Sequence, residues 1–234
     1  LGSQAALTAN ASYTDARGVS FNNVNINLGS GAGDISGDAT GNMSSSSQTS
    51  EGIAITNSTF TGTGGIAFWA RSAATVGIAQ TFRTTGTNTF DVGTNTASFI
   101  EGGSNSSLKI DSALNVTGKL SISALAASAK TITIAGAISS TGALTLDGQS
   151  VTTSAAISSS DEVLVTGRTG TVTLGGAVTS SGANKNITVR AASNIFHNSG
   201  AVSTQGGSIT YASDTDATSQ GGIKIGSGAT ITSN

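Results

Sequence analysis

Few residues in this 234-residue chain could do chemistry, and most of them stand apart. The single histidine, His197, lies in Asn194-Ile195-Phe196-His197-Asn198. A Ser-His-Asp hydrolase would need it beside an activated serine, and no Gly-x-Ser-x-Gly elbow lies near it. If Ile195 points inward, strand alternation sends His197 inward too or leaves it at a strand end, as suits a structural histidine. Cleavage of a polysaccharide needs acids and bases gathered on one face for proton transfer or metal binding. Among the 12 acidic residues, three close pairs are worth naming: Asp34/Asp38, Asp161/Glu162 and Asp214/Asp216. Asp161/Glu162 begins a strand turn and is expected in solvent. Asp34 follows Gly31-Ala32-Gly33, a partial match to the calcium-binding nonapeptide repeat, but the motif does not recur as that architecture requires. Asp214 and Asp216 sit in the longest insertion of the second half, Ala212–Gly222, and are the candidate ligands for a weakly held hard cation. No catalytic residue and no cofactor is expected.

Asn-x-Ser/Thr triplets begin at Asn10, Asn42, Asn57, Asn105, Asn115 and Asn186. Asn57, Asn105, Asn115 and Asn186 are the candidate glycosylation sites, in a chain whose Asn, Ser and Thr content also generates such triplets by chance. Thr131/Thr133 and Thr171/Thr173 raise the alternative of an ice-binding solenoid with a flat threonine ladder. The same face carries Ser150/Thr152 and then Asn194/Phe196 and Gly222/Lys224, which breaks the ladder after about three coils.

The elements that hold these residues follow from composition and repeat. Charged residues are only 9 % of the chain, against about 25 % in an ordinary globular enzyme. Hydrophobic residues nevertheless reach 36 %, small and β-branched and regularly alternating, which separates the chain from a disordered one. Ten Lys and Arg are scattered without a basic run or interleaved aromatics, so nucleic-acid binding is disfavoured. No apolar stretch approaches the ~18–20 residues of a membrane helix, so no membrane insertion is expected. There is no signal-peptide-like segment, and the chain opens and closes in mid-pattern, as an internal fragment would. Absence of cysteine removes disulfides, Cys-ligated zinc and thiol catalysis, and is compatible with secretion.

From Leu108 onward three kinds of short apolar run alternate in fixed order. The first kind is Leu108, Ile132, Val151, Val172, Ile195 and Ile223; the second is Leu114, Ile138, Ile157, Val178, Val202 and Ile231; the third is Leu120, Leu144, Val163, Ile187 and Ile209. Their spacings lengthen and shorten almost in step, mostly by 19–24 residues, the length of one β-helix coil with three short strands. Apolar positions at i and i+2 would enter the core while the Thr or Lys between them faces water. The expected fold is therefore all-β, a right-handed parallel β-helix of three-stranded coils. Residues 108–234 are read as regular coils, and residues 1–107 as irregular coils with inserted loops in one continuous solenoid. Strands are expected near Val19–Phe21, Val24–Leu28, Gly52–Ile55, Gly65–Trp69, Val76–Ile78, Thr89–Val92 and Ser98–Ile100. The Ser-rich stretch Gly37–Glu51 reads as an exposed loop. Six of the seven Phe and the only Trp fall between Phe21 and Phe99, which predicts a bulkier interior there.

Strand-turn units such as Gly207-Ser208-Ile209-Thr210-Tyr211, Gly222-Ile223-Lys224-Ile225-Gly226 and Asn186-Ile187-Thr188-Val189-Arg190-Ala191 resemble the repeats of filamentous haemagglutinin-type adhesins. These include two-partner-secreted exoproteins and autotransporter passengers. The resemblance covers Leu108–Asn234 well and the first half loosely; it lies in repeat style, and the Asn-Pro-Asn signatures of the secretion domain are absent. It implies a shaft or adhesive mid-section, export with an outer-membrane secretion partner, and attachment to a receptor or glycan on host cells, matrix or other bacteria. A carbohydrate-active β-helix enzyme is the alternative from another class, and would need an acidic cluster with Lys or Arg along one face.

Circular dichroism of the purified chain should show a β spectrum; a helix content above about 15 % would overturn this fold class, given ordinary globular helix content of about 30–35 %.

Overall fold

Alternating β-branched and hydroxyl residues form strands because a pleated strand sends successive side chains to opposite faces. The computed structural model describes residues 6–13, 15–43, 49–73, 78–102, 107–124, 130–218 and 221–234. Among the described residues it is all-β and without helix, and its strands assemble into a large parallel sheet and a smaller three-stranded one. Among the described residues every pairing between strands is parallel.

The pairings form three columns. Leu108, Ile132, Val151, Val172, Ile195 and Ile223 are successive partners in the first. Leu114, Ile138, Ile157, Val178, Val202 and Ile231 follow one another in the second. Leu120, Leu144, Val163, Ile187 and Ile209 make the third. The register expected from the apolar runs is met residue for residue.

The first half keeps these columns with a longer repeat. Val19 pairs with Ile53 and Ile53 with Phe82, 34 and 29 residues on. Ile26, Phe60, Phe90 and Val116 align in the second column, and Ile35, Phe68, Phe99 and Ile122 in the third. Strand Thr87–Glu101 spans both columns and pairs with Ala113–Ala124, joining the two halves. Ala113–Ala124 turns its corner at Gly118, where φ is +119° and a Cβ would lie 2.6 Å from a Val92 methyl; only glycine fits.

Phenylalanine fills the wider interior. Phe60 and Phe90 stack with centroids 5.1 Å apart, as do Phe68 and Phe99, each pair within one column. Across columns the rings meet edge to face, Phe60 on Phe68 at 5.2 Å and Phe90 on Phe99 at 5.3 Å. Both geometries suit the aromatic quadrupole. Trp69 departs from the expected bulky interior: it occupies the outward position between buried Phe68 and Ala70 and is 44 % exposed.

The two ends of Gly37–Glu51 also depart from the reading of that stretch as a loop. Gly33–Met43 and Thr49–Thr56 are strands, and residues 44–48 lie outside the described residues. The small residues there serve close packing of two columns. A Cβ on Gly52 would lie 2.6 Å from the Arg71 carbonyl oxygen, while buried Ser72 donates to the Ser50 carbonyl at 2.6 Å. The expected strand at Val76–Ile78 begins at Ile78, its earlier residues lying outside the description.

In the second half, inward hydroxyls make a further ladder. Ser140, Ser159, Ser180 and Thr204 are successive partners and buried. Each donates to a corner carbonyl at 2.7–2.8 Å, Gly142 for the first two, then Asp161 and Gly207. The corners therefore meet their hydrogen-bonding needs inside the fold. At the last level Ile223, Ile225 and Ile231 align with buried Ile195, His197 and Val202, yet are 47, 45 and 48 % exposed.

Ile134 is fully buried, and Thr133 beside it is half-buried. Ile134→Asp should destabilise by more than about 4 kcal/mol and Thr133→Lys by less than about 1 kcal/mol. Thr153 takes an inward position between Ile134 and Leu174, its buried hydroxyl without a hydrogen-bond partner. Thr153→Val should stabilise by about 1 kcal/mol, measured by urea unfolding.

Candidate functional site

Most residues singled out from the sequence fall among the described ones. His197 is fully buried, as alternation from Ile195 predicts. Its Nε2 lies 3.0 Å from the Gly200 carbonyl oxygen, and its Nδ1 lies 3.1 Å from the Tyr211 hydroxyl. A carbonyl only accepts, so in the neutral ring Nε2–H donates to Gly200 and Tyr211 O–H donates to Nδ1. Both nitrogens are engaged within the fold. Burial pushes the Tyr211 phenol up to about 12.

Asp214 and Asp216 do converge, on one hydroxyl. Thr218 Oγ1 donates to Asp216 Oδ1 at 3.0 Å and lies 3.4 Å from Asp214 Oδ1, inside a turn where Asp214 and Ala217 have positive φ. Among the described residues no group of three or more His, Cys, Asp or Glu could hold a metal ion. Asp34 and Asp38 lie on one strand, with Asp38 Oδ2 3.7 Å from Arg71. Asp161 pairs with Lys185 at 2.8 Å, which holds its carboxyl below the usual range, while Glu162 stays exposed.

The sequons divide by environment. Asn115 is exposed and accepts a hydrogen bond from Ser139 at 2.9 Å. Asn57 is exposed at a turn, where its Oδ1 accepts from Thr87 N–H. Asn186 bridges neighbouring coils, accepting from Ser208 N–H at 2.8 Å and lying 3.5 Å from Glu162. Asn105 lies outside the described residues, as do the side chains of Asn10 and Asn42. On the outer face Thr133, Thr152 and Thr173 align, followed by Phe196 and Lys224, so the threonine ladder ends where the sequence indicates.

A charged cluster missed by sequence reasoning lies on the first column, where Asp15–Asn22, Thr49–Thr56 and Ile78–Thr85 form a separate three-stranded sheet. Glu51, expected at the end of an exposed loop, is fully buried. Its Oε2 accepts from Arg17 Nε at 2.8 Å and its Oε1 from Arg83 Nη1 at 2.7 Å. The arginine side chains remain 43 and 45 % exposed. Beside them runs a groove of about 190 Å³, floored by Ala54 and lined by Ser20, Asn22, Thr56 and Thr85 as well as both arginines. The groove follows from register, since Ser20, Ala54 and Arg83 are neighbours in one row and Asn22, Thr56 and Thr85 in another. Its sequence signal was charges recurring near one coil's spacing, Arg17 to Glu51 to Arg83. A second cluster pairs Lys130 with Glu101 at 2.6 Å, both side chains at most 2 % exposed.

Comparison with protein-family models, curated proteins and solved structures found no match. The described strands define the class: an all-β protein built on a large parallel sheet and a smaller three-stranded one, with strands that repeat in register.

Tyr211 gives a pH dependence with a definite sign. Its folded pKa, about 12, exceeds the ordinary value of 10.0, so its contribution is complete below pH 10 and lost as pH rises toward 12. Thermal melts across pH 9–12 should show that alkaline loss in the parent, and less of it in Tyr211→Phe.

Proposed function

We propose that this chain is a stretch of right-handed parallel β-helix, serving as a stiff shaft in a large secreted bacterial surface adhesin. Its faces and loops would meet a receptor or glycan on host cells, matrix or other bacteria, and the full-length protein would need an outer-membrane secretion partner. The observation that carries this reading is the single apolar cluster that runs from Ile35 to Val202 along all three columns. One core shared by successive levels is what stacked coils produce, since no coil buries its apolar faces alone. Strand-crossover-strand connections in parallel sheets are right-handed in about 98 % of cases, which supports that hand. The resemblance to filamentous haemagglutinin-type repeats supplies the adhesive part of the reading.

The geometry suits a spacer. From Ile26 through Phe60, Phe90, Val116, Ser140, Ser159, Ser180, Thr204 and Ser233, the second column advances one level per coil. At ~4.8 Å per level these nine positions span roughly 40 Å along the stack. Small-angle scattering of the purified chain should fit a rod of that length; a globular scattering curve would remove the shaft reading. Beads coated with the chain should attach to epithelial or bacterial cells more than beads coated with a β-rich control of similar charge. Equal attachment would remove the adhesive part. Shortening Ala212–Gly222 to a Gly-containing turn tests whether that loop takes part in the attachment.

A further inference from the structure

We propose that a second groove, on the outer face of the third column beside Asp34, Asn95, Ser98 and the exposed indole of Trp69, binds a neutral saccharide. The C–H face of a hexopyranose would rest on Trp69, and its hydroxyls would meet the carboxylate, amide and hydroxyl groups next to it. This rests on the reading of the chain as an adhesive surface segment and names the partner chemistry of one of its faces.

Three features carry the assignment. The first is shape. A groove of about 270 Å³ lies where Gly33–Met43, Ile66–Ala73 and Thr87–Glu101 run side by side. Asp34, Ala67 and Ser98, all in its lining, are successive partners in one row. Asp34 is exposed and the other two are half-buried, while Ile35, Phe68 and Phe99, the next residue on each strand, are buried, so the row faces outward. Ala67 has the shortest side chain of the three and leaves a gap between the polar ones. Asp34 and Ser98 stand two levels apart, roughly 10 Å, a span that one pyranose with its hydroxyls can bridge. The corner beside the row stays low because Gly64 admits no side chain; a Cβ there would lie 2.3 Å from the Gly31 carbonyl carbon.

The second feature is Trp69. It lies two residues beyond Ala67 on the same outward side of the strand, about 7 Å away. Its partner in the next level is half-buried Ile100, which extends the apolar surface. A single exposed apolar residue is ordinary on a protein surface. Here the indole borders a groove of polar groups, and apolar surface beside a few convergent polar groups is what small-ligand sites share. The negative face of the ring attracts the positively polarised C–H groups of a sugar.

The third feature is the set of polar groups and its charge. Among the described residues no hydrogen bond or ion pair engages the Asp34 carboxylate, whose oxygens accept the paired hydroxyls of a sugar ring. Asn95 is held in place by donating its amide to the Thr63 carbonyl, and Ser98 supplies both a donor and an acceptor. Further along the strand Asp38 is paired with Arg71, so Asp34 leaves this face with net negative charge. That charge selects against acidic sugars and favours neutral ones.

The test is titration of the ¹⁵N-labelled chain with lactose, cellotetraose, mannotriose and an acidic hyaluronan tetrasaccharide. At least one neutral saccharide should shift the amides of Asp34, Ala67 and Ser98, and the same saccharide should change the tryptophan emission, which reports on this face alone because the chain has one Trp. Hyaluronan should bind at least about tenfold more weakly, by charge repulsion. Trp69→Ala removes the platform and Asp34→Ala the carboxylate, and each should weaken binding at least about tenfold with the melting temperature within a few degrees of the parent, both side chains being exposed. The two variants are independent, so either one that folds decides the matter. The proposal is overturned if no neutral saccharide shifts these amides, if hyaluronan shifts them equally, or if a folded variant binds like the parent. No cells are used, so a negative result leaves the shaft and its attachment standing.

Discussion

In-register parallel stacking is the constraint on which the rest of this structure depends. A pleated strand has a side-chain period of two, so a slip of one residue between neighbours would exchange the buried and exposed faces of a whole strand. Ile132, Val151 and Val172 must therefore fall on one line, and so must the threonines beside them. The corners obey the same rule. Ser140, Ser159 and Ser180 align as strictly as the aliphatic residues and replace water at carbonyls that the turns bury. Hydrophobic burial and internal hydrogen bonding thus select one register together, and neither would be satisfied in another.

That constraint explains what was legible in the sequence. From Leu108 onward the core sides of the strands are written in Ile, Leu and Val at spacings that a reader can superimpose, and each predicted partner is found. Before Leu108 the coils lengthen, and alignment needs Phe60 beneath Phe90 and Phe68 beneath Phe99, pairs about 30 residues apart with no shared flanking motif. At Gly37–Met43 and Thr49–Glu51 the structure has strand where composition suggests a loop, for a physical reason. Glycine, alanine and serine mark a flexible loop in composition, but they also mark a place where two backbones approach too closely for larger side chains. Only the fold distinguishes the two.

The candidate site was less legible than the fold. His197, Asp214 and Asp216 drew attention because of residue type, and the structure occupies their polar atoms with neighbours inside their own coils or turns. The arginine–glutamate cluster was hidden because Arg17, Glu51 and Arg83 are far apart in sequence and carry no motif. In a chain with so few charges, a charge that recurs coil after coil is informative, yet its meaning depends on knowing the coil length, which the irregular first half conceals.

The pairing distances bear on how the chain folds. Described strand partners lie between 19 residues apart, as for Ile138 and Ile157, and 34, as for Val19 and Ile53. The separation is set by one coil and does not grow with the number of coils. The entropy of closing each loop is therefore nearly constant along the stack, since loop-closure cost depends only weakly on length. Once a first pair of coils exists, every later coil finds its template already formed and adds by a local step. Folding of such a stack can nucleate at any neighbouring pair and propagate from there.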